Sequence, residues 1–283
     1  MEITAKMVRE LRERSGAPMM ECKRALAATD GDFEGAFDHL RKAGLKSADK
    51  KSSRATGEGR VRVQINKDGT QGAMIALTCE TDFVAKTDDF AKLLEQLCDH
   101  ALVHGPDTPE SMLGQILEPV GSTVEEAIKA LIGKLGENMQ IARIARFENA
   151  GGRVGGYLHH THRVGALISL THASDAAKAV AFLKQLGMHV AASKPVALKR
   201  EEIGAEQIER ERAVYRESED VKSKPADKHE QIIEGKLQKF FKEHVLLEQP
   251  WVHDPKSNVQ KALADALGAG ARIESFALFQ VGV

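Results

Sequence analysis

"GAMIALT" (Gly72–Thr78) and "GALISLT" (Gly165–Thr171) are nearly the same apolar run, met twice at positions 93 apart. Ahead of the first, "VRVQI" (Val61–Ile65) alternates and "NKDGT" (Asn66–Thr70) supplies an Asp-Gly turn, so the segment from Arg60 reads as a β-hairpin. Ahead of the second, "GGRVGGYLHH" (Gly151–His160) is the partner strand. The same offset pairs Thr81 with Ser174 and Asp82 with Asp175. After Asp175 a helix begins at once, "AAKAVAFLKQL". In the first copy the helical period resumes only at Phe90, continuing through Leu93, Leu94, Leu97, Cys98 and Ala101, with Asp88 or Asp89 as cap. The first copy thus carries seven further residues, "FVAKTDD" (Phe83–Asp89). The expectation is an α+β core of two similar β-β-α units, one with an insertion at its strand-to-helix corner.

Working outward, residues 1–45 read as a small three-helix domain. Thr4 caps a helix carrying Met7, Val8 and Leu11 that ends near Gly16. Pro18 opens a second, with Met19, Cys22 and Leu26 in register, and Asp32 caps a third that stops at Gly44. Residues 46–59, rich in Lys and without apolar period, read as a linker, with a helical start left open. Core subdomain N then covers 60–146, including a helix over 124–136. Core subdomain C covers 147–195 and 244–283, closing with a helix near 257–267 and a last strand, "RIESFALFQVGV". Between its parts, 196–243 predicts an antiparallel coiled-coil hairpin. One arm has sparse Ile203, Ile208 and Tyr215, "SKPAD" turns the chain, and the other arm aligns Ile233, Leu237, Phe240 and Phe241. That thin seam can pair with itself, with a partner, or with a second copy in a homodimer or 2:2 complex.

Composition narrows the function. A length of 283 residues suits about two domains, or one core with appendages. Hydrophobic residues make up 42%, enough for a core, and charges balance to a net −1, which argues against a broad nucleic-acid-binding patch. No apolar run approaches the ~20 residues that cross a bilayer. The charged start, "MEITAKMVRE", lacks a signal-peptide layout. Cys22, Cys79 and Cys98 form no CxxC pair, which suits a reducing cytoplasm and offers no cysteine zinc site. No phosphate-binding loop occurs, "GGRVGG" has the wrong spacing for a dinucleotide site, and GxSxG and HExxH are absent. No cofactor and no direct nucleotide, nucleic-acid or membrane binding is expected.

His159, His160 and His162 raise a metal-dependent hydrolase as an alternative, because alternate strand residues share a face and His160 and His162 have that parity. Against it, no Cys or Asp completes the set and "HHTH" falls at a hairpin tip. His189, in an apolar helical context, reads as a hydrogen-bonded structural residue. For "TDFVAK" (Thr81–Lys86) two readings stand. Asp82 is a cap and Phe83 a core residue, or the pair is an exposed aromatic beside a charge, the makeup of an interface hot spot. The second copy turns the same corner without these residues, and an insertion that the scaffold does not need is a good place for function.

Four motifs, "MMECKRAL", "TDFVAK", "KLGEN" (Lys134–Asn138) and "GMHVAASKP" (Gly187–Pro195), occur in an order and spacing that resemble the bacterial elongation factor Ts family over nearly the whole chain. The resemblance implies no enzyme but a guanine-nucleotide exchange factor for the GTPase elongation factor Tu. It implies a ubiquitin-associated-like (UBA-like) N-terminal domain, a two-part α+β core and a projecting coiled coil. It also implies that Thr81, Asp82, Phe83 and Val84 reach toward the GTPase's nucleotide and disturb its Mg²⁺. His159, at the family's "GxYxH", is expected to face the partner, and Met19, Met20 and Lys23 fall in the N-terminal docking region. A non-catalytic scaffold that binds the same GTPase is the other alternative. Family members usually continue into a C-terminal helical module, whereas this chain stops at Val283 after "FALFQVGV".

Overall fold

The computed structural model describes residues 2–106, 108–171 and 175–282. The core is built on two three-stranded antiparallel sheets of the same order. β1 (Glu58–Ile65), β2 (Gln71–Cys79) and β5 (Met139–Glu148) form one, with β2 central. β6 (Gly152–Leu158), β7 (Val164–Thr171) and β10 (Arg272–Gln280) form the other, with β7 central. The two repeated runs are the central strands, and both are buried on two faces. Period two then sorts each run. Ala73, Ile75, Leu77 and Cys79 join a core with the helices outside the first sheet, while Met74 and Ala76 face the second sheet.

The sheets stack on each other, sharing Val61, Met74, Val154, Leu167 and Phe279. Gly72 and Gly165, first residues of the two runs, make the close approach possible. A Cβ on Gly72 would lie 2.7 Å from Val154 Cγ1, and one on Gly165 2.7 Å from Val61 Cγ1. Each sheet also hydrogen-bonds the other's hairpin turn. Val61 N–H donates to the His162 carbonyl at 2.7 Å, and its counterpart Val154 N–H donates to Gly69, also at 2.7 Å. Gly69 and His162, 93 apart, are both left-handed, at φ 66° and 57°.

Helices α5 (Asp88–His104) and α7 (Val124–Leu135) cover the first sheet, and α8 (Ala176–Ser193) and α12 (Val259–Leu267) cover the second. Each unit is therefore longer than the expected β-β-α: a second helix and third strand follow. Leu135-Gly136 before β5 matches Leu267-Gly268 before β10, and both glycines have positive φ. Between α5 and α7 lie α6 (Pro109–Leu113) and the short β3 (Ile116–Leu117) and β4 (Ser122–Thr123).

At the N-terminus, α1 (Ala5–Ser15), α2 (Met19–Ala28) and α3 (Phe33–Lys51) enclose Val8, Leu11, Cys22, Leu26, Ala36 and Leu40. The Thr4 hydroxyl accepts from Met7 N–H, and Gly16 closes α1 left-handed. Asp32 holds the cap position of α3 without a side-chain capping bond. Gly44 does not stop α3. Leu40, Gly44 and Ala48 share one face, and Ala48 enters the first unit's core. Gly44 crosses Gly133 of α7 so closely that a Cβ on Gly133 would lie 2.9 Å from the Gly44 Cα. Residues 46–51, expected in the linker, are thus helix, because the missing side chain serves a helix crossing rather than a break. Lys129 pairs with Asp49 at 2.8 Å across the same joint.

The charged insert is α9 (Ala205–Glu217), α10 (Glu219–Lys222) and α11 (His229–His244). Its seam closes within the chain: Ile203, Val221, Ile233, Leu237 and Phe241 are buried together. At the stem, Leu246 N–H donates to Ala197 at 2.8 Å. Beyond it, β8 (Pro250–Trp251) and β9 (Asp254–Asn258) form a small ribbon. His189 is buried there as a structural residue. It pairs with Gln249 at 2.9 Å, accepts from Val252 N–H at 3.3 Å, and stacks on Trp251.

Candidate functional site

The inserted residues form a helix of their own, α4 (Asp82–Ala85), a single turn between β2 and α5. One turn is too short to hold itself, so its fixation comes from outside. Thr81 is the N-cap, its hydroxyl accepting from Val84 N–H at 3.4 Å. That hydroxyl also donates to Glu137 Oε1 at 2.6 Å, while Thr81 N–H donates to Glu137 Oε2 at 2.9 Å. Val84 and Ala85 are buried in the first unit's core. Val84, expected at the partner surface with Thr81, Asp82 and Phe83, is therefore an internal anchor, because a single turn needs one inward face. Phe83 points the other way, with 79% of its surface exposed. Asp82 pairs with Lys86 one turn on, at 2.6 Å. The Lys86 ammonium, helped by Arg163, holds the Asp82 carboxyl below its ordinary range.

Thr87, not Asp88 or Asp89, caps α5, accepting from Phe90 N–H at 3.3 Å. Asp88 and Asp89 sit in the first turn, where carboxylates suit the helix dipole, and Asp89 pairs with Lys134 at 2.8 Å. In the other unit Asp175 caps α8 directly, accepting from Ala177 and Lys178 N–H at 2.9 and 3.1 Å. Ser174, the counterpart of Thr81 by offset, lies outside the described residues.

The second unit contributes to the same neighbourhood through the β6–β7 turn. Arg163 ends this turn, pairs with Glu58 of β1, and influences Asp82. His159 lies in the turn, half-buried, with Nδ1 on the Thr161 hydroxyl at 2.8 Å. The His160 ring lies tilted against His159, with centroids 4.1 Å apart, and His162 faces the charges of Arg60 and Arg62. Among the described residues no three His, Cys, Asp or Glu side chains are grouped to hold a metal. Met19 and Met20, 52% and 63% exposed, lie with Lys23 on the outer face of α2, on a different unit. Burial raises the Cys79 thiol behind the corner to about 12, so it stays protonated.

Sequence reasoning gave no role to Glu137, Asn138, Lys86 or Arg163. The Asp82–Lys86 pair has the i,i+4 spacing that could have shown it. "KLGEN" was visible as a motif, but the hooks of Glu137 span 56 positions and follow no period.

A family model described as Elongation factor TS matches residues 80–283. An elongation factor Ts from Thioalkalivibrio sulfidiphilus is 40% identical over 282 residues, covering 100% of this chain and 93% of the relative. One from Methylococcus capsulatus is 41% identical with the same coverage. One from Chlorobium phaeobacteroides is 38% identical over 286 residues, covering 99% of each chain. These matches define a class, the elongation factors of protein biosynthesis. Within it, the chain belongs to the elongation factor Ts family.

Proposed function

We infer that the chain is a guanine-nucleotide exchange factor that docks on elongation factor Tu bound to GDP, promotes GDP release and so permits GTP loading. The observation that carries this is Phe83, a large apolar ring held out in solvent by a turn whose next two residues are buried. Family membership supplies the partner. The three-helix unit then acts as a UBA-like docking module through Met19, Met20 and Lys23, and His159 faces the same GTPase. The coiled-coil hairpin projects from the second unit, its seam already closed by its own chain. The setting is the cytoplasm, and no described helix is long and apolar enough to cross a membrane.

Phe83 wedges against a helix of the partner beside its nucleotide. Mg²⁺ bridging GDP to the GTPase is among the largest charges in such a site. A carboxylate brought near it, here Asp82, perturbs the coordinating shell without binding the ion. Thr81 holds the turn at its base. Linkage fixes the rest: by whatever ratio the factor weakens nucleotide binding, nucleotide weakens binding of the factor. Stopped-flow release of a fluorescent GDP tests the reading. Phe83→Ala slows stimulated release sharply and Asp82→Ala less so. Unchanged rates with both substitutions sink the wedge, and GTPase binding without faster release establishes a scaffold instead.

A further inference from the structure

The loop after α7 joins three segments that are far apart in sequence. The Asn138 side-chain amide donates to the carbonyls of Ser52 at 3.2 Å and Arg54 at 2.7 Å, just beyond α3. Asn138 N–H donates to Glu80 Oε1 at 2.7 Å, and Arg54 pairs with the same carboxylate. Asn138 is buried, so this root is shielded from water. Glu137, one position earlier, takes both donors of Thr81. Asn138 therefore fixes the loop, and Glu137 uses the fixed loop to hold the entrance of α4.

We propose that Glu137 is a positioning residue for exchange, acting through Phe83; this rests on the exchange reading above. A four-residue helix has too few internal bonds to set its own direction. Val84 and Ala85 pin its inner face, but two small apolar side chains leave a pivot. The two-oxygen grip on Thr81 removes that pivot, because one oxygen takes the backbone and the other the side chain of a single residue. Charge-assisted bonds of this kind are shorter and stronger than neutral ones. Displacing a contact group by about 1 Å can cost on the order of 100-fold in rate. A ring so exposed depends on the turn that carries it for where it arrives.

The test compares Glu137→Ala, Glu137→Gln and Thr81→Val with the unmodified chain. Each is titrated against elongation factor Tu carrying fluorescent GDP. Glu137→Ala should lower the maximal release rate at saturating factor by about 10- to 100-fold, leaving the half-saturating concentration within about threefold. Glu137→Gln, which keeps one acceptor, should fall between. Thr81→Val keeps the Thr81 N–H bond to Glu137 but loses both the hydroxyl bond to Glu137 and the cap bond from Val84 N–H, so it should fall at least as far as Glu137→Gln. In a Phe83→Ala background, Glu137→Ala should remove less than about twofold more, as expected of residues acting as one unit. Losses that multiply in that background, or a maximal rate unchanged in Glu137→Ala, overturn the proposal. Amide exchange at Val84–Lys86 in the free chain should speed at least about tenfold in Glu137→Ala, and unchanged exchange there also overturns it. That measurement needs no GTPase, so it decides the grip even if the unmodified chain fails to accelerate GDP release and the exchange reading falls. If the alanine variant does not fold, the other two carry the same comparisons.

Discussion

The two strand-to-helix corners of the core solve one problem in two ways. In the second unit Asp175 caps α8 directly, and the helix lies down on its sheet. In the first, the chain leaves β2, makes α4, and only then starts α5 under a new cap, Thr87. Both helices bury an apolar face against their sheets, so the extra turn is no requirement of the scaffold. It is nonetheless well anchored, by Val84 and Ala85 inside and Glu137 at its base. Anchoring that ends in an exposed Phe83 separates two tasks within two adjacent residues: Val84 serves the fold, and Phe83 is left for the partner contact proposed above.

The difference between the two corners is greatest at Phe83. Phe83→Ala should slow stimulated GDP release about thirtyfold or more, the effect of losing a central aromatic anchor. Its melting temperature should stay within about 1 °C, since little of the ring is buried. A second contrast is Gly133, whose counterpart in α12 is the exposed Asp265, with no α3 above it. Gly133→Ala should destabilise by about 1–3 kcal/mol by forcing α3 and α7 apart. Gly44→Ala, whose Cβ would lie at an ordinary 3.8 Å, should not. Urea midpoints separate the two. Val84→Ala should lower stability by about 1–2 kcal/mol by calorimetry, the reverse of the Phe83 result. Among the turns, Gly69→Ala should cost about 1 kcal/mol at its left-handed position, while His162→Gly should cost nothing or gain up to about that much.

The smallest effect is in pH. Burial holds His100 of the first unit and His189 of the second below the ordinary histidine range. The unfolded chain therefore binds protons first as pH falls below about 6.5. Stability is full above that value and declines as pH drops toward the depressed folded values. Each histidine contributes a slope of up to about one proton. Denaturation midpoints of His189→Gln between about pH 7.5 and pH 5 should show a flatter decline.

Much of this was legible in the sequence, because periodicity and turn chemistry are local. The hairpins, the Thr4 and Gly16 signals of α1, the paired central strands and the outward Phe83 all follow from spacing or from the repeat. Gly44 misled because a glycine reads as a stop by type, whereas its bare Cα here meets another helix. The last strand, β10, was read from "RIESFALFQVGV", but β5, the third strand of the first unit, escaped because only Leu-Gly and weak alternation mark it. At the corner, Phe83 could be singled out, but Val84 could not be turned inward without knowing that α4 is a separate turn. Asp88 and Asp89 looked like caps because they directly precede Phe90, where the apolar period resumes, whereas the actual cap, Thr87, stands three residues ahead of it.

The reciprocal bonds between turns and sheets bear on origin as well as on packing. Val61 to His162 and Val154 to Gly69 are one bond made twice, as are Asn149 to Thr70 and Val281 to Arg163. Such a surface, in which i meets j and j meets i, is what two identical chains form about a two-fold axis. Joined in one chain, it cannot dissociate on dilution, and the two halves are free to differ. One half could then gain a seven-residue outgrowth without placing a second copy of it on the opposite side.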